Sequence, residues 1–205
     1  MIPSNKHWND IFSANADPEL GWHESDTSQT FKFLGIIPQS ENATVFLPGA
    51  GTAVLVDQLL AKGHQLILND ISDEALGKLK KRVGTSQGRV TWLHHDISKP
   101  LPSGLPQADI WIDRAVLHFL LEEADIQEYF ANLHSAIHRG GYALLAVFPT
   151  TGAPRCAGLD LHRYSVEEIT QRMGTDFELV KHEDYTFVNP FGEARPYIYT
   201  LYRKK

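Results

Sequence analysis

The chain has 205 residues, the size of one ordinary domain, and its 42% hydrophobic and 21% charged residues allow a packed core and exclude wholesale disorder. Nineteen Lys and Arg against 25 Asp and Glu give a net charge of −6, which excludes a nucleic-acid binder held by bulk positive charge. The single cysteine, Cys156, excludes a disulfide framework and a Cys-rich zinc site, and no apolar run reaches the roughly 18 residues of a membrane helix.

The N-terminus, MIPSNKHWNDIFS, has no basic segment followed by an apolar one, so no signal peptide is expected and the cytoplasm is the expected compartment. Residues 1–40 are polar and carry Trp8 and Trp22. Asp26-Thr27-Ser28 precedes a short helix over Gln29–Leu34 that Gly35 ends. An alternation then begins. Ala43–Leu47 reads as a short buried strand that stops at Pro48-Gly49-Ala50-Gly51. A helix follows with Val54, Leu55, Leu59 and Leu60 on one face, ending at Lys62-Gly63. Gln65–Leu68 is a second strand, closed by Asn69-Asp70. Ser72 caps a helix through Leu76, Leu79 and Val83, with the basic run Lys78–Arg82 at its solvated end.

Val90–His94 and Ala108–Asp113 are the third and fourth strands. Ile126–His138 is an amphipathic helix ended by Arg139-Gly140-Gly141, and Tyr142–Phe148 is the fifth strand. Ser165 opens a helix through Ile169 and Met173. Phe177–His182 and Tyr197–Tyr202 are strands with no helix between them, linked through Asn189-Pro190-Phe191-Gly192. The pattern predicts one α/β domain over residues 1–205: a doubly wound, mostly parallel seven-stranded sheet of Rossmann-like type, ending in an antiparallel β-hairpin. Residues 1–40 are expected to form a lid.

In such a sheet, ligands bind at the carboxyl ends of the strands. Gly49 and Gly51 follow the first strand, Asp70 ends the second, His94-His95-Asp96-Ile97 ends the third, and Asp113-Arg114 ends the fourth. The glycine turn lacks the Gly-Lys-Ser/Thr of a phosphate loop, and Val54 stands where a dinucleotide fingerprint needs its third glycine. Asp70, 19 residues after Gly51, is placed to accept from both hydroxyls of a ribose, or to cap the next helix. Asp96 is placed to accept from an adenine amino group, between Ile71 and Ile97 as apolar walls; as an isolated acid it reads as a loop residue.

This layout from about Thr44 to Phe148 resembles the class I S-adenosylmethionine methyltransferases. Leu47 and Ala53 depart from it, since the family usually has an acid and a third glycine there. The loop proline Pro48, the segment Ile112-Asp113-Arg114-Ala115-Val116-Leu117, and Trp8 with Gly21-Trp22-His23-Glu24 resemble the thiopurine methyltransferase-like branch. The resemblance implies a methyltransferase using S-adenosylmethionine and releasing S-adenosylhomocysteine. It implies cofactor contacts at Trp22, Pro48, Gly49, Ala50, Gly51, Asp70, Ile71, Asp96, Ile97 and Asp113, and places Asp113 and Arg114 nearest the chemistry.

The expected acceptor is a small molecule, with a sulfur, selenium or tellurium nucleophile favoured by the branch resemblance. A protein lysine or amino-terminal methyltransferase is the alternative, and a non-catalytic cofactor-binding module a further one. No metal, nucleic-acid or membrane partner is expected; His94 and His95 are adjacent and point to opposite faces of a strand. His118 reads as a buried histidine or a group at the pocket, and Cys156 as a loop cysteine.

Overall fold

The computed structural model describes residues 4–38 and 40–205. The central sheet contains β1 (Thr44–Leu47), β2 (Gln65–Asp70), β3 (Val90–His94), β4 (Ala108–Arg114), β5 (Ile137–Val147), β8 (Phe177–Val188) and β9 (Ala194–Lys204). Two short strands, β6 (Arg155–Cys156) and β7 (Leu159–Asp160), form a separate ribbon. The order across the sheet is β3-β2-β1-β4-β5-β9-β8. The first five strands pair in parallel, and β9 runs antiparallel to both β5 and β8. The expected architecture is therefore present, terminal hairpin included.

The strands are apolar on both faces because helices cover both. Val45, Leu47, Leu66, Leu68, Ile110 and Ile112 pack with α2 (Ser28–Leu34), α3 (Leu55–Ala61) and α4 (Asp73–Val83). The alternate residues Phe46, Ile67 and Trp111 pack with α5 (Glu123–Ala136) and α6 (Val166–Met173). This is the period-2 division of a strand buried on both sides. Ser72 caps α4 by accepting from Ala75 N at 3.1 Å, with Asp73 and Glu74 in the first turn and Lys80–Arg82 in the last.

One helix is added to the expected elements, and two local expectations need correction. The N-terminal segment contains α1 (Asn5–Ala14), whose Trp8, Ile11 and Phe12 recur at helical spacing and whose Ser4 caps it. Helix α5 ends at Ala136, and Arg139-Gly140-Gly141 lies inside β5 rather than after a helix. There the β4–β5 register shifts between Ala108 and Ile110, and Gly140 takes φ +86°, so the glycines form an irregularity in a strand. The hairpin strands also run longer than the apolar segments: β8 is the sheet edge, and its polar residues alternate toward solvent.

Candidate functional site

The sheet order puts the carboxyl ends of β3, β2, β1 and β4 in a row, and a cavity runs along them. At β1, Gly49 and Gly51 take φ +53° and +52°, a conformation glycine adopts without strain. A Cβ on Gly49 would stand 2.4 Å from Val116 Cγ2, so the turn fits closely against the loop after β4. Ala50 N donates to Asn69 O at 2.8 Å, and Gly51 N to Asp70 Oδ2 at 2.7 Å, which fastens this turn to the end of β2.

Asp70 also accepts from Ser72 N on Oδ1 at 2.8 Å. Ser72, not Asp70, supplies the helix cap. Asp70 therefore remains available to line the cavity. Burial lifts its pKa to about 6, against the pull of the Ser72 and Gly51 N–H groups. At β3, Asp96 accepts from Ser98 N and Oγ on Oδ1 alone. Ile71, Ile97, Phe119 and Leu120 supply apolar walls between these acids. Helix α1 and the segment after it cover the cavity with Trp8, Phe12, Leu20 and Trp22. The Trp8 ring meets Trp22 and Phe119 edge-on at 5.7 and 5.0 Å.

Arg114, at the end of β4, lines the same cavity. Its Nη1 donates to Trp22 O at 3.0 Å and its Nε lies 3.1 Å from Glu24 Oε2. The guanidinium stacks on Phe187 and Tyr197, 4.6 and 5.1 Å from the ring centroids. Burial alone would lower its pKa, but the Tyr197 hydroxyl and the Glu24 carboxylate beside it outweigh that and hold it raised. Burial in turn lifts the Glu24 carboxyl above its usual range, against the pull of Arg114.

Asp113 differs from the other expected site residues. It does not line the cavity and is fully buried. It accepts from Val116 N and Leu117 N, each at 3.0 Å, and from the Tyr129 hydroxyl, which itself accepts from Trp111 Nε1. These bonds fix the turn at Ala115, whose φ is +70°. Asp113 thus bonds within the turn whose Ala115 and Val116 border the cavity. Burial lifts its pKa to about 6, against the Tyr129, Val116 and Leu117 donors.

The remaining expected residues, Trp22, Pro48, Gly49, Ala50, Gly51, Asp70, Ile71, Asp96, Ile97 and Arg114, all border the cavity. Sequence reasoning did not single out Phe12, Leu20, Phe119 and Leu120, nor the pairing of Glu24 with Arg114. The Trp8/Ile11/Phe12 spacing was a usable signal for the first of these; the others depend on a fold-back of the chain.

A second hollow adjoins the first and shares Trp22 with it. Phe148, Cys156, Phe191, Arg195 and Tyr197 are among its walls. Burial raises the Cys156 thiol pKa, so the thiol form dominates. His118 lines neither hollow; its ring lies 4.7 Å from both Phe119 and Phe148, with no hydrogen-bond partner on either nitrogen. Burial, with Arg114 nearby, lowers its pKa to about 3, so the imidazole is neutral. Among the described residues, no group of three or more His, Cys, Asp or Glu is placed to share a metal ion, and no helix is long and apolar enough to cross a membrane.

Residues 48–143 match a family model described as a methyltransferase domain, just under half of the chain. No curated protein matches the chain in sequence. Among solved structures, the chain is similar to a SAM-dependent methyltransferase from Anabaena variabilis, at 14% identity and a TM-score of 0.78, covering 98% of this chain and 93% of that one. It is also similar to the 1,6-didemethyltoxoflavin-N1-methyltransferase of Burkholderia thailandensis (20% identity, TM-score 0.66, coverage 96% and 81%). A third is the N-methyltransferase NodS of Bradyrhizobium japonicum (14%, 0.68, coverage 97% and 98%). At these identities the structural likeness establishes the fold. The methyltransferase-domain match spans the glycine turn, both acidic strand ends and the β4 loop, so the likeness to a methyltransferase domain falls on the strand ends that border the cavity.

Proposed function

We propose that the protein transfers a methyl group from S-adenosylmethionine to a small molecule held in the hollow beside Trp22. The observation that carries this reading is that Trp22 borders both the long cavity over β3, β2, β1 and β4 and the second hollow, which Phe148, Phe191 and Tyr197 also line. Asp70 suits a ribose diol, and Asp96 with Ile71 and Ile97 suits an adenine. When bound, the cofactor supplies a methyl on a sulfonium already activated toward an in-line nucleophile. The contribution of the chain is then to position the acceptor and keep water out, which α1 and Trp22 do from above.

The proposed acceptor atom is soft: sulfur first, with selenium and tellurium as chemical relatives. Asp113 lies out of reach behind the β4 turn, and Glu193 in the hollow is engaged by Asn189 and Arg195. A thiolate or selenide arrives with its lone pair free and needs no base at the moment of attack. A nitrogen acceptor is the second reading. It is favoured by two of the similar solved structures, which are N-methyltransferases.

The test is calorimetric titration with S-adenosylmethionine and S-adenosylhomocysteine, repeated on Asp70→Ala, followed by transfer of labelled methyl to thiols, selenite, amines and peptides. Binding that Asp70→Ala abolishes and label on a thiol or selenium compound are expected. Label on amines alone selects the second reading. Label confined to peptides refutes the small-molecule assignment, and no binding refutes the cofactor site.

A further inference from the structure

Tyr129 lies on α5, fully buried, and lines neither the cavity nor the hollow beside it. Its hydroxyl accepts from Trp111 Nε1 at 3.0 Å and donates to Asp113 Oδ2 at 2.5 Å. The Trp111 indole meets the Tyr129 ring edge-on and stacks on Phe46 of β1, 4.3 Å between centroids and 8° from parallel. Asp113 in turn accepts from Val116 N on Oδ1 and from Leu117 N on Oδ2. One chain of contacts therefore joins α5, β1 and β4 to the loop after β4.

That loop is where the network meets the cavity. Ala115 and Val116 border it, and Val116 packs so tightly on the β1 turn that a Cβ on Gly49 would stand 2.4 Å from its Cγ2. Ala115 takes φ +70°, a conformation that a non-glycine residue keeps only where its surroundings over-determine it. A carboxylate is also an expensive group to bury. Among the described residues no cation is paired with Asp113: Arg114, next along β4, points to the other face of the sheet, toward Trp22 O and Glu24. An apolar side chain would fill the same space at lower cost. What the carboxylate adds is two acceptors for the two loop amides. Among the described residues, the Tyr129 hydroxyl is the side-chain donor that holds it in place.

We propose that Tyr129 is a positioning residue for the cofactor: through the Asp113 carboxylate it holds the β4 loop against the glycine turn, the form of the cavity that takes S-adenosylmethionine. The proposal rests on the S-adenosylmethionine reading of the cavity. Ionisation of Asp113 makes it measurable. Burial lifts the Asp113 pKa to about 6, and the Tyr129, Val116 and Leu117 donors pull against that. The titratable groups packed nearby are the phenols of Tyr129 and Tyr164, both pushed up by burial and neutral, and the neutral imidazole of His118. Arg172 and Glu168 of α6 bear on Tyr164 and not on Asp113. Removing the Tyr129 hydroxyl lifts the Asp113 carboxyl further, so that at pH 6.5 it is mostly protonated where the parent's is mostly ionised. A protonated carboxyl keeps less acceptor capacity for the loop amides.

The experiment titrates the full-length protein calorimetrically with S-adenosylhomocysteine at pH 5, 6.5 and 8.5. The ratio of variant to parent affinity at each pH cancels the titration of the ligand and of Asp70, on which Tyr129 does not bear. Tyr129→Phe is expected to weaken binding at least about threefold at pH 6.5 and less than about twofold at pH 8.5, where both carboxyls are ionised. A loss of the same size at both pH values, or none at pH 6.5, overturns the proposal and leaves Tyr129 a core residue. Should Tyr129→Phe fail to fold, Asp113→Asn decides. Its loss is expected to be at least about fivefold at pH 8.5 and to shrink to about twofold or less at pH 5, where the parent carboxyl is itself protonated. A loss that stays constant with pH overturns the proposal. No binding to the unaltered protein at any pH refutes the cofactor reading itself, a different result that takes the proposal with it.

Discussion

Replacing Gly49 by alanine tests the closest contact in the site. The residue sits at φ +53°, and its new Cβ would stand 2.4 Å from Val116 Cγ2. The left-handed conformation costs a non-glycine residue about 1–2 kcal/mol. Relieving the clash by shifting Val116 or the β1 turn adds roughly 1–3 kcal/mol. Stiffening of the unfolded chain returns about 0.4–1 kcal/mol. The net destabilisation is about 1–4.5 kcal/mol, or roughly 2–18 °C in Tm for a chain of this size. Gly51→Ala is the comparison: its φ is +52°, but its Cβ would meet only the tip of Phe12 at 3.3 Å. It should therefore cost about 0–1.6 kcal/mol, the conformational part less the same return from the unfolded chain. Urea unfolding of both variants, and of Gly49→Ala combined with Val116→Ala, measures the difference. Shortening Val116 should recover at least about 1 kcal/mol in the Gly49→Ala background as a positive coupling. A Gly49→Ala protein as stable as Gly51→Ala, or no recovery on shortening Val116, refutes the argument that the β1 turn is fitted against the β4 loop.

Two further outcomes follow from the geometry. His118 is fully buried and its pKa is lowered to about 3, so the unfolded chain takes up its proton first and stability falls as pH drops below the ordinary histidine value near 6.5. His118→Phe removes that term; relative to the parent it should gain about 2 kcal/mol between pH 8 and pH 5, read by urea unfolding at both pH values, and a pH-independent difference counts against it. Trp8→Ala opens the roof where Trp8 meets Trp22 and Phe119, and should weaken S-adenosylmethionine about tenfold. Unchanged affinity would mean that the α1 roof plays no part in holding the cofactor.

The sequence by itself determined the sheet, its division between parallel strands and a terminal hairpin, and the residues that end each strand. These depend on local signals: apolar runs of strand length, glycines after strands, and Ser72 and Ser165 as caps. The same signals failed at Arg139-Gly140-Gly141, because a glycine pair that ends a helix and one that bulges a strand are identical in one dimension. For the site, position along the chain placed Asp70, Asp96, Asp113 and Arg114 together at the strand ends. Only the tertiary structure decided what each carboxyl faces. Asp70 borders the cavity, while Asp113 does not and is enclosed by Tyr129 and two backbone N–H groups. The pairing of Glu24 with Arg114 joins residues 90 positions apart across a fold-back of the N-terminal segment. Hydrogen-bond saturation depends on atoms brought from several elements at once, and no local pattern in the sequence encodes it.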